Sequence, residues 1–192
     1  MNNEIYTKVE KFVVEMFGKA NDDLGIKHSL RTAYWLKELK NDLDEAFLTA
    51  AVAHDIERAF RNVKEYSHIK DGKEGYKSES HLAHHQNEGA NVIAKYLEEI
   101  GAESEFIGRV VMLVSNHEIG GNDDQNLLKD ADSISFFENN VERFLAKHVE
   151  ETGVEKVKEK FKWMFERIDS EKARQIVEPW YNEAMDKISN IK

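Results

Sequence analysis

The chain has 192 residues, a net charge of −10 at pH 7 and no cysteine. Its length allows one domain with a substantial core, and 41% hydrophobic with 33% charged residues is the balance of a globular protein. The lack of cysteine excludes disulfides, thiolate metal sites and cysteine nucleophiles, and the acidic charge argues against a broad nucleic-acid surface.

The first ten residues have no basic stretch followed by an apolar run, so they do not predict a signal peptide. No apolar run approaches the roughly 20 residues that a membrane-spanning helix needs. We therefore expect a cytoplasmic protein without a membrane segment.

Apolar residues recur at helical spacing along almost the whole chain, which predicts an all-α fold. Asp22, Asp23 and Gly25 mark a turn before the second helix, and Asp42 or Asp44 can cap the third. The first six predicted helices cover about residues 5–17, 26–40, 45–54, 81–100, 104–117 and 126–138.

The remaining residues predict further helices, and Pro179 either opens the last of them or kinks it. The sequence thus predicts one domain over 1–192. Its core would be a helical bundle of about 20–140, followed by a helical C-terminal extension of about 141–192.

A long segment, 58–80, interrupts the helical period and is rich in Lys, Gly, Ser and Tyr. Loops of this length in compact domains are often functional, so this one is either a lid or a plain solvated loop. The charged stretch 155–160, in contrast, is predicted to be a solvated helix face.

Six residues of the types that bind metals lie mostly at predicted helix ends. His54 and Asp55 close an apolar run, where a charged pair is costly unless something pairs with it. A helical bundle can bring such residues to one interior point. Nitrogen and oxygen ligands without sulfur suit one or two divalent transition metal ions, Mn, Fe, Co, Ni or Zn. The predicted ligands are His28, His54, Asp55, His85, His117 and Asp132.

Two of these assignments have close competitors. Asp132 is preferred over Asp130 because apolar residues flank it at i−4 and i+4, whereas Asp130 has mixed neighbours and is predicted to be a supporting or surface group. His81 or His84 could serve in place of His85.

The order His28, His54-Asp55 and Asp132 resembles the HD superfamily of metal-dependent phosphohydrolases. Residues 85–90, His-Gln-Asn-Glu-Gly-Ala, resemble the His-x-x-x-Gly-Ala helix of its two-metal members. Asn116-His117-Glu118 is similar to their His-His-Glu, with asparagine in place of the first histidine. The resemblance covers about residues 20–140 and implies an HD-domain helical bundle.

The expected chemistry follows from the two oxygens of Asp55, which allow it to bridge two metal ions. One ion would take His28, His54, Asp55 and Asp132. The other would take Asp55, His85 and His117. Paired ions can activate water and hold a phosphoryl group. We therefore expect a metal-dependent phosphohydrolase, with Asp55 in a catalytic role, acting on a small anionic phosphorylated metabolite or nucleotide.

Three arginines are candidates for substrate binding: Arg31, Arg58 and Arg61. Arg58 lies one helical turn after Asp55 and is expected to take a catalytic part by binding a substrate phosphate; the alternative is an ion pair with Glu57 or another carboxylate. Arg31 would either orient Asp132 or meet substrate.

Two other functions remain open at this point. Related HD proteins with the same six ligands are di-iron oxygenases, which iron content and an oxygen-dependent reaction would reveal. The chain could also be a non-catalytic metal or nucleotide sensor, which an absence of turnover across many phosphoesters would favour.

Overall fold

The computed structural model of the chain describes residues 4–61 and 78–191. Every regular element within these ranges is helical, which confirms the all-α fold. The possible lid lies mainly in 62–77, outside the described residues. The first six helices are α1 (Glu4–Lys19), α2 (Asp23–Leu39), α3 (Glu45–Ala53), α4 (Glu79–Glu99), α5 (Ser104–Val114) and α6 (Asp123–Asn139).

The C-terminal extension is also helical. Its first helical stretch, α7 (141–152), has a π-helical turn, Phe144–His148, between two short α-helical segments. Two longer helices follow, α8 (Val154–Glu166) and α9 (Glu171–Ser189). Pro179 lies inside α9 and does not open it. None of the described helices combines the length and apolar character needed to cross a bilayer.

Polar side chains cap the starts of α3 and α6. Of the two predicted caps for α3, Asp44 is the one used, and its carboxylate accepts a hydrogen bond from Phe47 N at 2.8 Å. Asn122 and Gln125 form a reciprocal capping box at the start of α6. The start of α6 is therefore Asp123, three residues before the predicted one.

Gly25 was expected in a turn but lies in the first turn of α2, which Asp22 caps. A Cβ on Gly25 would lie 2.5 Å from a ring carbon of Phe17, so glycine lets α2 approach α1 closely. The glycine marks tight helix packing here, and the turn prediction was wrong at this residue.

Helix α3 is the centre of the first apolar core, since every residue from Ala46 to Ala53 is buried. Helices α1, α2 and α5 pack against α3, and α4 joins the same core by packing on α5. A second apolar core joins the C-terminal end of α6 to the extension. Helix α6 therefore belongs to both cores, with Ala131 in the first and Ile134 in the second. It holds the extension beside the buried end of α3.

Candidate metal centre

The structure brings all six predicted ligands to one buried place between α2, α3, α4, α5 and α6. None of the six is more than 5% exposed. Their atoms form two groups, each of which could hold a metal ion: His28, His54 and Asp132 in one, and Asp55, His85 and His117 in the other.

The first group surrounds the Nε2 atoms of two histidines. His28 Nε2 lies 2.9 Å from Asp132 Oδ1 and 3.3 Å from His54 Nε2. His54 Nε2 is 3.5 Å from the same Asp132 oxygen. Asp55 Oδ2 completes the group at 3.7 Å from both histidines.

The second group uses the other oxygen of Asp55. His85 Nε2 lies 3.0 Å from Asp55 Oδ1, and His117 Nε2 lies 3.7 Å from it. Each oxygen of this carboxylate thus faces a different pair of histidines. This is the arrangement expected of a carboxylate that bridges two ions.

The spacing of these atoms fits metal binding. Ligands bound at about 2.1 Å lie roughly 3.0–3.4 Å from one another in tetrahedral or octahedral geometry, close to the distances seen here. His117 Nε2 is buried and has no hydrogen-bond partner among the described residues. A buried polar nitrogen is costly without a partner, and a metal ion at this point would supply one.

Hydrogen bonds to the opposite ring nitrogens orient three of the histidines. Nδ1 lies 2.9 Å from Ala51 O in His54 and 2.7 Å from Val114 O in His117, the carbonyl three residues earlier in each case. Nδ1 of His28 lies 2.9 Å from Ser135 Oγ. Since Nδ1–H donates to these oxygens, Nε2 is the nitrogen that faces into the site, where its lone pair can bind a metal ion once Nε2 carries no proton.

His85 is the ligand that the structure favours in the second group, since His84 is exposed and His81 is only half-buried. Glu57 lies behind it, with Oε1 3.4 Å from His85 Nδ1, and Glu57 in turn pairs with Arg61 at 2.8 Å. Glu57 therefore holds the His85 ring from its Nδ1 side, and Arg61 in turn holds Glu57.

Gly89, one turn after His85, explains the spacing of the His-x-x-x-Gly-Ala segment. A Cβ on Gly89 would lie 3.1 Å from the carbonyl oxygen of His54 and 3.5 Å from Val114. Glycine therefore allows α4 to lie directly against the end of α3. That contact brings His85 within reach of Asp55.

The charge states follow from burial and from neighbouring charges. Burial favours the neutral form of Asp55, but Arg58 and His54 hold its pKa well below the usual range. Burial also disfavours charge on His54, yet Asp55 and Asp132 raise its pKa to about 9. Burial and the neighbouring His54 lower the pKa of His117 to about 4. His117 is therefore neutral at pH 7 and ready to act as a ligand.

The three candidate substrate arginines have different surroundings. Arg58 Nε lies 3.0 Å from Asp55 Oδ2, while 37% of its side chain remains exposed. Arg61 is paired with Glu57, as described above. Arg31 makes two hydrogen bonds of 2.7 Å to Glu138, so the alternative in which it orients Asp132 was wrong, while its contact with substrate stays a prediction.

The extension supplies charged residues that the sequence analysis missed. Arg167, after α8, contacts Asp132 and Glu118. Lys160 was expected on a solvated helix face but is half-buried, with Nζ 4.2 Å from the Trp163 ring centroid. Burial lowers the pKa of Lys160 to about 7 in spite of the attraction of nearby Glu118. No local sequence signal distinguishes these two cations from surface ones.

Asp130 has a definite structural role, and its prediction as a supporting group of the metal site or a surface group was wrong. It is buried, and its two oxygens accept hydrogen bonds of 2.8 Å from the backbone N–H groups of Asp169 and Ser170. Asp130 thus anchors the start of α9 on α6.

We expect Asp130→Ala to lower the free energy of unfolding by about 2–4 kcal/mol, because two backbone N–H groups lose an acceptor that is charged and buried. Denaturant unfolding of metal-free protein measures this change. Glu171→Ala, which removes an exposed carboxylate in the first turn of α9, is the matched control and should cost less than about 1 kcal/mol. Equal stability of the Asp130→Ala variant and the parent would contradict the anchoring role.

A family model described as "Domain of unknown function (DUF4202)" matches residues 15–184 of the chain. The match covers most of both apolar cores and every one of the six candidate ligands. No curated protein and no solved structure matches the chain.

Proposed function

The chain belongs to the DUF4202 family, and we propose that it is a cytoplasmic metal-dependent phosphohydrolase of the HD type. Its substrate would be a small phosphorylated metabolite or nucleotide. The observation that carries the proposal is Asp55, whose two oxygens face two separate pairs of buried histidines. The ordered ligands that resemble the HD superfamily support the same conclusion.

The charge of the site favours an anionic substrate. Four buried carboxylates lie in or beside the centre: Asp55, Glu57, Glu118 and Asp132. Four cations accompany them: Arg58, Arg61, Lys160 and Arg167. These charges cancel when Lys160 is protonated, so two divalent ions would leave a clear positive excess. A phosphate group would neutralise part of that excess, and electrostatic attraction would draw it to the site.

When bound, divalent ions would supply activation of water and polarisation of phosphoryl oxygens. The chain's own residues prepare the site for this chemistry. The carbonyl-bonded rings of His54 and His117 are held in one orientation. Arg58 lies against Asp55 with part of its guanidinium-bearing side chain open to solvent, where it can meet a phosphoryl oxygen.

The test of this function begins with metal analysis of protein purified without added metal. Protein loaded with the metal found, and separately with Mn²⁺, is then assayed against a broad panel of phosphomonoesters, phosphodiesters and nucleotides. We expect metal-dependent release of phosphate or of a nucleoside monophosphate. Metal-loaded protein that hydrolyses no compound of the panel would contradict the proposal. The oxygenase and sensor functions would then be the ones to test.

Within this proposal we expect Arg58→Ala to lower kcat/KM for a phosphoester by roughly 10- to 100-fold, with metal content unchanged. The loss corresponds to about 1.4–2.7 kcal/mol, the usual size of a charge-assisted hydrogen bond. Arg58→Lys should recover part of it, since lysine restores the charge without the planar fork. Arg143→Ala, which breaks a surface pair with Asp22, is the control. Unchanged kinetics in Arg58→Ala would leave Arg58 as an ion-pair partner of Asp55 alone.

A further inference from the structure

Arg167 reaches the metal centre from the C-terminal extension. It directly follows α8, and its side chain is only 6% exposed. Its three nitrogen atoms have separate partners. Nη1 donates to Glu118 Oε2, Nη2 donates to Asp132 Oδ2, and Nε donates to Ser133 Oγ at 2.9 Å. A guanidinium held at three points has a defined plane and cannot rotate freely.

Because of the contact with Arg167, the two oxygens of the Asp132 carboxylate have different partners. Oδ2 is taken by Arg167, while Oδ1 faces His28 at 2.9 Å and His54 at 3.5 Å. The guanidinium therefore decides which oxygen of Asp132 is offered to an ion in the first group. Without it, the carboxylate could turn about its Cβ–Cγ bond and lose this orientation.

The contact with Glu118 reaches toward the second group. Glu118 Oε2 is held by Arg167, and Oε1 lies 3.9 Å from His85 Nε2. The backbone N–H of Glu118 is also fixed, since it donates to Gln86 Oε1 at 2.9 Å. One guanidinium thus touches a carboxylate beside each of the two ligand groups.

The surroundings keep Arg167 in place. Its guanidinium lies 4.8 Å from the centroid of the Trp163 ring, one turn earlier on α8. Two residues later in the chain, the backbone N–H groups of Asp169 and Ser170 donate hydrogen bonds to Asp130. Arg167 is therefore fixed from both sides, by α8 and by the start of α9.

We propose that Arg167 is a positioning residue of the metal centre. The C-terminal extension would then contribute to metal binding through this side chain. The proposal rests on the metal centre of the proposed function and adds a residue outside the six ligands. Partners that orient a metal ligand commonly contribute 10- to 100-fold to metal affinity. Arg167 contacts Asp132 and would orient it without itself being a ligand.

The decisive variant is Arg167→Lys, which keeps the positive charge and loses the three-point fork. The charge must be kept, because removing a cation would by itself attract metal ions and offset the loss of orientation. We expect the Kd for Mn²⁺, measured by titration calorimetry on metal-free full-length protein, to rise roughly 10- to 100-fold. Circular dichroism melting of the metal-free proteins, run beside the titration, reports the structural cost of each substitution.

Arg174→Lys is the matched control. Arg174 lies in the same extension, donates to Ile168 O at 2.6 Å and contacts none of the ligands. It should bind Mn²⁺ like the parent. If Arg167→Lys does not fold, Ser133→Ala gives the answer, since it removes the partner of Arg167 Nε, keeps the contacts of Nη1 and Nη2, and should weaken Mn²⁺ binding several-fold. It also removes the bond from the Ser133 hydroxyl to Lys129 O, whose structural cost the melting curves report.

The outcomes separate the two proposals. A parent protein that binds no divalent ion overturns both the metal centre and the role of Arg167. If the parent binds Mn²⁺ and folded Arg167→Lys binds it with the same Kd and stoichiometry, only the positioning role is overturned. Where Arg167→Lys does not fold, the same result in Ser133→Ala overturns it. Equal weakening in Arg174→Lys would show a general effect of the extension and would also overturn it.

Discussion

Asp55→Ala is expected to abolish binding at both ligand groups. Its two oxygens face different histidine pairs, so one substitution removes an oxygen from each group. In the parent, a divalent ion that binds only the folded chain raises the melting temperature. In the variant we expect the metal-to-protein ratio to fall from about two to near zero and the metal-dependent rise in melting temperature to disappear. Phosphoester turnover should fall by roughly 1000-fold or more.

Metal analysis and thermal melting with and without Mn²⁺ measure these effects. Asp42→Ala is the control. Asp42 is an exposed aspartate that lies before the start of α3, whereas Asp55 lies just after the end of the same helix. His54→Ala should show the same loss in the first group. Full metal occupancy in both Asp55→Ala and His54→Ala would rule out this centre.

His85→Ala and His117→Ala are each expected to lower the metal-to-protein ratio from about two to about one. Both nitrogen ligands face Asp55 Oδ1 and lie in the second group, so the first group keeps its own ligands. Activity should fall by roughly 100-fold or more, since hydrolysis would need both ions. Stability should change far less, because the ion in the first group still ties α2, α3 and α6 together.

The chain offers a close control for this experiment. His84→Ala changes an exposed histidine next to His85 and should leave stoichiometry and turnover at the parent values. A parent ratio near one that neither His85→Ala nor His117→Ala changes, with excess metal present, would show a mononuclear site. The two histidines would then contact substrate or support the single ion.

The sequence predicted the helices well, and it singled out six candidate ligands that the structure brings together, because both leave local signals. Apolar residues at helical spacing predicted α1 to α6 within a few residues of their observed bounds. The ligand candidates were found as histidines and aspartates at or near helix ends and on apolar faces. Asp132 was separated from Asp130 in this way, by its apolar neighbours one turn on either side. Such signals need only residues within about four positions of each other.

The tertiary structure alone decided which charged groups meet. Arg31 pairs with Glu138, 107 residues away, and Arg167 reaches Asp132 from 35 residues away. Asp130 faces backbone N–H groups about 40 residues later in the chain. A charged side chain has the same local pattern whether it is solvated or buried in an ion pair. Its partner depends on how distant helices pack, and the cost of burying an unpaired charge then selects the pairing.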